Sequence, residues 1–279
     1  MREPVQAIRQ ACGNESAAQS FHSLFLWQQD MKLSICLWEN VFAVRCEYWG
    51  QNSWFFPCGE KEAVDRMIRA ILESEPHAGF LYLRNEDAAF LRERFPGRFR
   101  IETAEDASEY LYDRTSYVTM PGKAYEDTRW SINHLKKHHD LRTEGLSAEN
   151  LCTAREMLSR WQPYSKSSYF AEDLATADLM LSNFPELGMD GVIVFMDGEP
   201  AALAAGFPVS GHGYDIAFSK ALVRERGLQF YIRRELISRL PEQYTVINGE
   251  EDLGIPDLRQ SKLLEKPVGR IEMFRAYAE

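Results

Sequence analysis

The chain has 279 residues, 45 % hydrophobic and 27 % charged, with a formal net charge of −10; it is long enough for one large or two ordinary globular domains. Both halves are acidic, which excludes binding of duplex DNA across a whole face. The odd set Cys12, Cys36, Cys46, Cys58 and Cys152 contains no Cys-x-x-Cys pair, so a disulfide framework or zinc knuckle is not expected and buried free thiols are.

Residues 1–24 carry charge and amides where a signal peptide needs an apolar core. Residues 33–38, 41–47 and 53–56 are β-rich and predict an antiparallel meander. Residues 61–72 put Val64, Ile68, Ile71 and Leu72 on one helical stripe. A strand over 79–83, a short helix over 87–94 and strands over 98–103 and 109–112 follow, and the first domain closes near residue 120. Tyr125, Thr128, Ile132 and Leu135 recur at helical spacing up to His138-His139-Asp140 and predict a connector helix. A strand over 141–146 completes this connector, residues 121–145.

The last part, residues 146–279, reads as helices over 148–161, with Ser147 as cap, and 172–184, with Leu174, Ala177, Leu181 and Phe184 on one face. Strands over 191–196, 200–209 and 213–219 come next, then a helix over 228–240, a strand over 244–248 and a last strand near 271–277. The longest nearly apolar stretch, residues 192–209, is broken by Asp197-Gly198-Glu199. It therefore predicts two strands around a turn and not a membrane span. A cytoplasmic chain without membrane insertion is expected. The class is α+β, and this second half has the element order of a GNAT-type acyltransferase domain. The first half is a looser version of that order, so two tandem GNAT-like domains are expected, each a mixed, mostly antiparallel sheet flanked by helices.

At Asn248-Gly249-Glu250-Glu251-Asp252-Leu253-Gly254, followed by Leu258-Arg259 and Lys262, the chain resembles bacterial proteins related to the C-terminal domain of phosphatidylglycerol lysyltransferases. Phe56-Pro57-Cys58-Gly59, the run Tyr110 to Asp113, Gly122-Lys123 with Arg129, Ile132, Asn133, Lys136 and Lys137, and the Arg224/Gly227 helix start agree with it. The resemblance covers residues 20–277. It implies a tandem GNAT-like fold and transfer of an aminoacyl group from charged tRNA to an amine or hydroxyl. Two positions depart from the pattern: Gly249 replaces a basic residue, and Gln229 replaces the Gly or Ala of an acetyl-CoA loop.

For the donor, Arg224-x-x-Gly227 after a strand pattern is where phosphates would meet backbone amides at the positive end of a helix dipole, so Arg224, Arg226, Gly227 and Gln229 are the cofactor-binding candidates. The carrier would be an acyl-CoA or an aminoacyl-tRNA. Asn248, Glu250 and Asp252 sit at a strand end, where a base would take the proton of the attacking amine; Tyr231 or Tyr214 would serve as acid. Arg129, Asn133, Lys136 and Lys137 line a cationic helix face and, with Arg259 and Lys262, are candidate substrate contacts. Glu250 and Asp252 could equally pair with Arg259 and Lys262 and only fix the last helix. His134, His138 and His139 fit a helix C-terminal cap better than a metal site. Trp27, Trp38, Trp49, Trp54, Trp130 and Trp161 share no spacing, which favours core packing. No Gly-x-Ser-x-Gly, Walker or His-Glu-x-x-His motif occurs. The first reading is an acyl- or aminoacyltransferase. The alternative is a non-catalytic GNAT-like scaffold for a small ligand or protein partner, with a tRNA-binding accessory protein as a third. The sequence leaves the oligomeric state open.

Overall fold

The computed structural model describes residues 1–48, 50–161 and 170–279, so Trp49 lies outside the described residues. In chain order the elements are α1 (Arg2–Ala11), α2 (Phe21–Leu26), β1 (Ser34–Trp38), β2 (Val41–Tyr48), β3 (Gln51–Gly59), α3 (Lys61–Ser74), β4 (Gly79–Leu83), α4 (Asn85–Arg94), β5 (Phe99–Thr103) and β6 (Glu109–Asp113). Then come α5 (Arg114–Thr119), α6 (Glu126–His138), β7 (Leu141–Gly145), α7 (Leu151–Ser159), α8 (Phe170–Ser182), α9 (Phe184–Leu187), β8 (Asp190–Met196), β9 (Glu199–Pro208) and β10 (Gly213–Ala221). The chain ends with α10 (Leu228–Arg239), β11 (Val246–Asn248), α11 (Pro256–Leu264), β12 (Gly269–Ile271) and β13 (Phe274–Ala278). No helix of the described residues is long and apolar enough to cross a membrane.

Two compact units result. Unit 1 comprises Met1–Tyr110, Glu250–Lys262 and Gly269–Glu279, and unit 2 comprises Leu111–Gly249 and Leu263–Val268. The sequence reading keeps residues 146–279 together, whereas the chain's tail belongs with unit 1. The reason is strand pairing: β13 is hydrogen-bonded antiparallel between β4 and β5, with Ala276 opposite both Phe80 and Ile101.

The unit 1 sheet has the order β1-β2-β3-β4-β13-β5, and the β3–β4 pair is its parallel one. Alternation sorts the side chains of β2 and the adjacent Phe55 and Phe56 of β3 onto two faces, whereas in β4 Tyr82, at φ 55°, breaks it and brings Phe80 and Leu83 to the same face. Val41, Ala43, Phe56, Phe80 and Leu83 pack with the predicted α3 stripe of Val64, Ile68 and Ile71, while Phe42, Val44, Phe55 and Leu81 pack with Val5 of α1 and Leu24 of α2. The sequence pattern predicts no helix at α1, α2 or α5.

In unit 2 the strands run in the order β6-β11-β10-β9-β8-β7. The β10–β11 pair is parallel and only three residues long, from Gly213↔Val246 to Asp215↔Asn248. Beyond Asp215, β10 continues to Ala221 without β11, so the two strands splay. At the same place the β10–β9 ladder shifts register between Asp215 and Phe218. Gly206 makes this possible, since a Cβ there would stand 2.0 Å from the Asp215 carbonyl oxygen. The small Ala201, Ala202, Ala204 and Ala205 of β9 are buried, as are Leu228, Ile232, Leu236 and Ile237 of α10, which lies against β9.

Unit 2 also holds a buried ion pair, Arg233 Nη1 to Glu265 Oε1 at 3.1 Å, with side chains 10 % and 2 % exposed. Removing one partner from such a pair strands the other charge in a poorly solvated site. Glu265→Ala is expected to lower unfolding stability by about 3–5 kcal/mol, and the double replacement Arg233→Met/Glu265→Leu to recover most of that. Denaturant melts check this; a single-variant loss below about 1 kcal/mol contradicts a stranded charge.

Candidate functional site

The acidic run that follows β11 does not continue as a strand. Glu250, Leu253 and Gly254 all have positive φ, at 60°, 53° and 70°, so the backbone coils and strict side-chain alternation is lost. Within unit 1 this turn is anchored on β6 and on the short turn before it: the Tyr110 N–H donates to the Glu250 carbonyl oxygen at 3.1 Å, and the Leu253 N–H donates to the Asp106 carbonyl oxygen at 2.9 Å.

Asp252 is buried and fully engaged. Its Oδ2 accepts from the Tyr110 hydroxyl at 2.7 Å and from Arg259 Nε at 2.7 Å, while Oδ1 accepts from Arg259 Nη2 at 3.2 Å and from the Gly254 N–H at 2.8 Å. Burial raises the Asp252 carboxyl, but the bonds from Arg259, Tyr110 and Gly254 outweigh burial and hold it below the usual carboxylate range. A carboxylate so held is a poor proton acceptor and a good anchor for the turn. Asp106 is treated alike, gripped by both Arg275 Nη atoms at 2.9 and 2.7 Å and lowered chiefly by that contact.

Glu251, next to Asp252 in the chain and only partly exposed, has the opposite environment. Burial pushes its carboxyl up to about 7; the charges of Glu109 and Asp106 add to this, while a backbone amide and Lys262 oppose it. Glu109 is wholly buried, and it accepts from the Ser16 hydroxyl at 2.7 Å, the Ala17 N–H at 3.0 Å and the Ala18 N–H at 3.1 Å. Lys262 is buried as well. Unit 1 thus contains one acid poised to take or release a proton near neutrality, flanked by acids committed to other partners.

Neither Glu251 nor Glu109 is singled out by the sequence reading. Taking alternate residues from a strand end selects Asn248, Glu250 and Asp252, but β11 stops at Asn248 and the turn moves the perturbed position to 251. Asn248 itself is buried at the end of β11, opposite Asp215 of β10 and Leu111 of β6. Gly249 has its own reason: a Cβ would stand 2.7 Å from the Tyr112 ring and 3.1 Å from Arg233 Nη2, so the basic residue expected there has no room.

The donor and substrate candidates of unit 2 are scattered. Gly227 has φ 91° and precedes α10, and a Cβ there would lie 2.6 Å from the Ser131 carbonyl oxygen of α6. Its glycine is therefore explained by close approach to a helix backbone. The Leu228 N–H is bonded internally to the Glu225 carbonyl oxygen at 3.2 Å. Gln229 folds back on β10, its Nε2 donating to Ser219 Oγ at 2.9 Å. Arg226 donates from Nε to Ser131 Oγ at 3.0 Å and covers the Trp130 ring at 4.6 Å, and Arg224 is exposed.

On α6, Arg129 donates to the Gly122 carbonyl oxygen at 2.7 Å and to that of Met120, closing the chain's own turn. Lys136 lies 5.1 Å from the Tyr231 ring centre, while Asn133 and Lys137 are exposed. The Tyr231 hydroxyl pairs with Thr143 Oγ1 at 3.2 Å and is raised, chiefly by burial. Tyr214 is entirely buried and donates to Asp190 Oδ2 at 3.2 Å. His138 Nδ1 contacts the His134 carbonyl oxygen at 2.8 Å, as a helix-end residue does. Trp38 and Trp130 are exposed at 42 % and 51 %, which corrects the expectation that all the tryptophans pack in the core.

These features define an α+β protein of two mixed and mostly antiparallel sheets, each flanked by helices. More particularly, the chain belongs to the family described as phosphatidylglycerol lysyltransferase, C-terminal, whose model matches residues 10–277, and this is a transferase family. A conserved protein of unknown function from Bacteroides thetaiotaomicron is similar over 100 % of this chain and 96 % of its own, with a TM-score of 0.92 at 23 % identity. L-PGS from Bacillus licheniformis is similar over 99 % of this chain and 91 % of its own, with a TM-score of 0.70 at 18 % identity. FemX is similar over 100 % and 96 %, with a TM-score of 0.64 at 8 % identity. At these identities the three show the fold alone. No curated protein sequence matches the chain.

Gly227→Val places a β-branched side chain at positive φ against the α6 backbone, and is expected to cost about 2–4 kcal/mol of stability. Thermal unfolding of the variant checks this. An unchanged melting temperature would contradict the packing role and return Gly227 to ligand binding.

Proposed function

We propose that the chain is an aminoacyl- or acyltransferase in which Glu251 is the general base. The observation that carries the reading is the Glu251 carboxyl pushed up to about 7 among Glu109, Asp106 and Lys262. A base works best when its pKa lies near the working pH, since it is then both available and strong enough. In the reaction an acceptor amine or hydroxyl loses its proton to Glu251, attacks the acyl carbonyl carbon, and the carrier's oxygen or sulfur leaves, taking a proton in turn. Lys262 supplies positive charge beside the base. Asp252, Tyr110 and Arg259 hold the turn that carries it.

The donor we propose is an aminoacyl-tRNA. Membership of a family described by lysyl transfer supports it, as does the similarity to FemX and L-PGS in fold. An acyl-CoA is less well matched, because Gln229 stands in the first turn of α10 where a small residue would admit a pyrophosphate. The exposed Arg224 and Arg226 are the proposed phosphate contacts of unit 2. The acceptor is an amine or hydroxyl compound. One feature favours the alternative of a non-catalytic scaffold: the close packing of Gly227 on α6, which leaves that glycine no need of a ligand.

Transfer of a labelled amino acid from charged tRNA to candidate acceptors tests the reading. Glu251→Gln is expected to lower kcat about 10²–10⁴-fold. Activity of the native protein should rise with pH through about 7 as Glu251 loses its proton, and that step should vanish in the variant. Stability should move the other way. The raised carboxyl favours the protonated fold, so this contribution is full below the ordinary value of 4.5 and declines as pH rises towards about 7. Glu251→Gln should therefore stabilise the protein more at pH 8 than at pH 4. Donor-dependent thermal stabilisation without turnover would favour the scaffold instead; unchanged turnover and pH profile in the variant would remove Glu251 from the chemistry.

A further inference from the structure

Five free thiols are distributed unevenly. Cys36 and Cys152 are exposed and Cys46 is buried, whereas Cys12, half-buried at the C-terminus of α1, and Cys58, buried near the end of β3, place their sulfurs 3.3 Å apart although 46 positions separate them in the chain. Asn14 Nδ2 donates to Cys58 Sγ at 3.4 Å, and Cys12 Sγ lies 3.5 Å from the Arg9 carbonyl oxygen. Nothing in the proposed transfer reaction uses either sulfur. A disulfide needs the two sulfurs about 2.05 Å apart, so closure asks for little over an ångström of movement at a helix end.

We propose that Cys12 and Cys58 are an oxidisable dithiol that a peroxide converts to an intramolecular disulfide, with Cys12 as the attacking sulfur and Cys58 as the resolving one. The roles follow from the environment. The hydrogen bond from Cys58 pulls the Cys12 thiol down to about 6 against the effect of burial, with further help from the positive charge of Arg84. The same bond, together with burial, pushes Cys58 up. Asp87 opposes the lowering at Cys12, and Arg9 opposes the rise at Cys58. By contrast the Cys46 thiol, buried without a sulfur neighbour, is pushed up to about 12, which leaves it inert.

In the first step the Cys12 thiolate attacks one peroxide oxygen; the O–O bond breaks, sulfur is oxidised by two electrons to the sulfenic acid, and hydroxide leaves. In the second, Cys58 sulfur attacks Cys12 sulfur, the S–O bond breaks, the S–S bond forms, and the Cys58 proton departs with the hydroxyl as water. The product ties the end of α1 to β3, at the head of the turn over residues 14–20 whose Ser16, Ala17 and Ala18 bond Glu109.

The test is non-reducing peptide mapping of the full chain after exposure to hydrogen peroxide at neutral pH. The expected result is a single peptide bridged by Cys12 and Cys58, both thiols lost together, and full reversal by dithiothreitol. In Cys58→Ser the reaction should stop at a Cys12 sulfenic acid trapped by dimedone, and in Cys12→Ser Cys58 should stay reduced. With iodoacetamide, Cys12 of the unoxidised protein should react about 10-fold faster than Cys36. Cys12 carried to sulfinic acid with Cys58 still free would overturn the proposal, as would both staying reduced while Cys36 and Cys152 are oxidised.

Discussion

Gathering several carboxylates in one poorly hydrated part of unit 1 has a cost that the surrounding donors must offset. The charges of Glu109 and Asp106 bear on Glu251 there, and that of Asp252 on Asp106, and each carboxylate needs donors of its own. Arg275 is spent on Asp106, Arg259 and Tyr110 on Asp252, and the backbone of the turn after α1 on Glu109. Glu251 is left with Lys262 and a backbone amide, which do not offset burial. Glu251 is therefore the acid whose carboxyl is pushed up to about 7, and this is decided by its neighbours and not by residue type.

The same logic explains why adjacent residues have different parts. Asp252 and Glu251 differ by one position and one methylene, yet the first is clamped as an anion and the second is displaced upward. The clamp has a use of its own. A turn with three positive-φ residues, Glu250, Leu253 and Gly254, would be loose without bonds from Tyr110, Arg259 and the Asp106 carbonyl, and a base carried on a loose turn would not meet its substrate in a defined geometry. The ion pairing foreseen for Asp252 with Arg259 is thus the support of the site rather than its competitor.

Much of the fold was legible because the apolar periods are clean. The α3 stripe, the β4 run and the β8 to β10 meander carry patterns that only one packing satisfies. The N-terminal helix was not legible: α1 buries Val5 and Arg9, and a buried arginine reads as surface in a sequence. The tail strand β13 was legible as a strand but not as a member of unit 1, since pairing between β4 and β5 is a long-range choice with no local mark. At the site, the acidic run after β11 was legible as a place. The residue within it was not, because a non-glycine residue at positive φ, Glu250, breaks the alternation that the choice of Asn248, Glu250 and Asp252 assumes. Gly227 shows the converse: a glycine before a helix reads as a phosphate loop, yet here the demand comes from the Ser131 carbonyl of α6.

Following the side-chain carboxyl carbons by NMR across pH, with Glu251 assigned through Glu251→Gln, tests the central claim most directly. The account predicts that the Glu251 resonance titrates with a midpoint near 7 while that of Asp252 moves only at lower pH than an ordinary aspartate. A Glu251 midpoint at the ordinary value of 4.5 would contradict it.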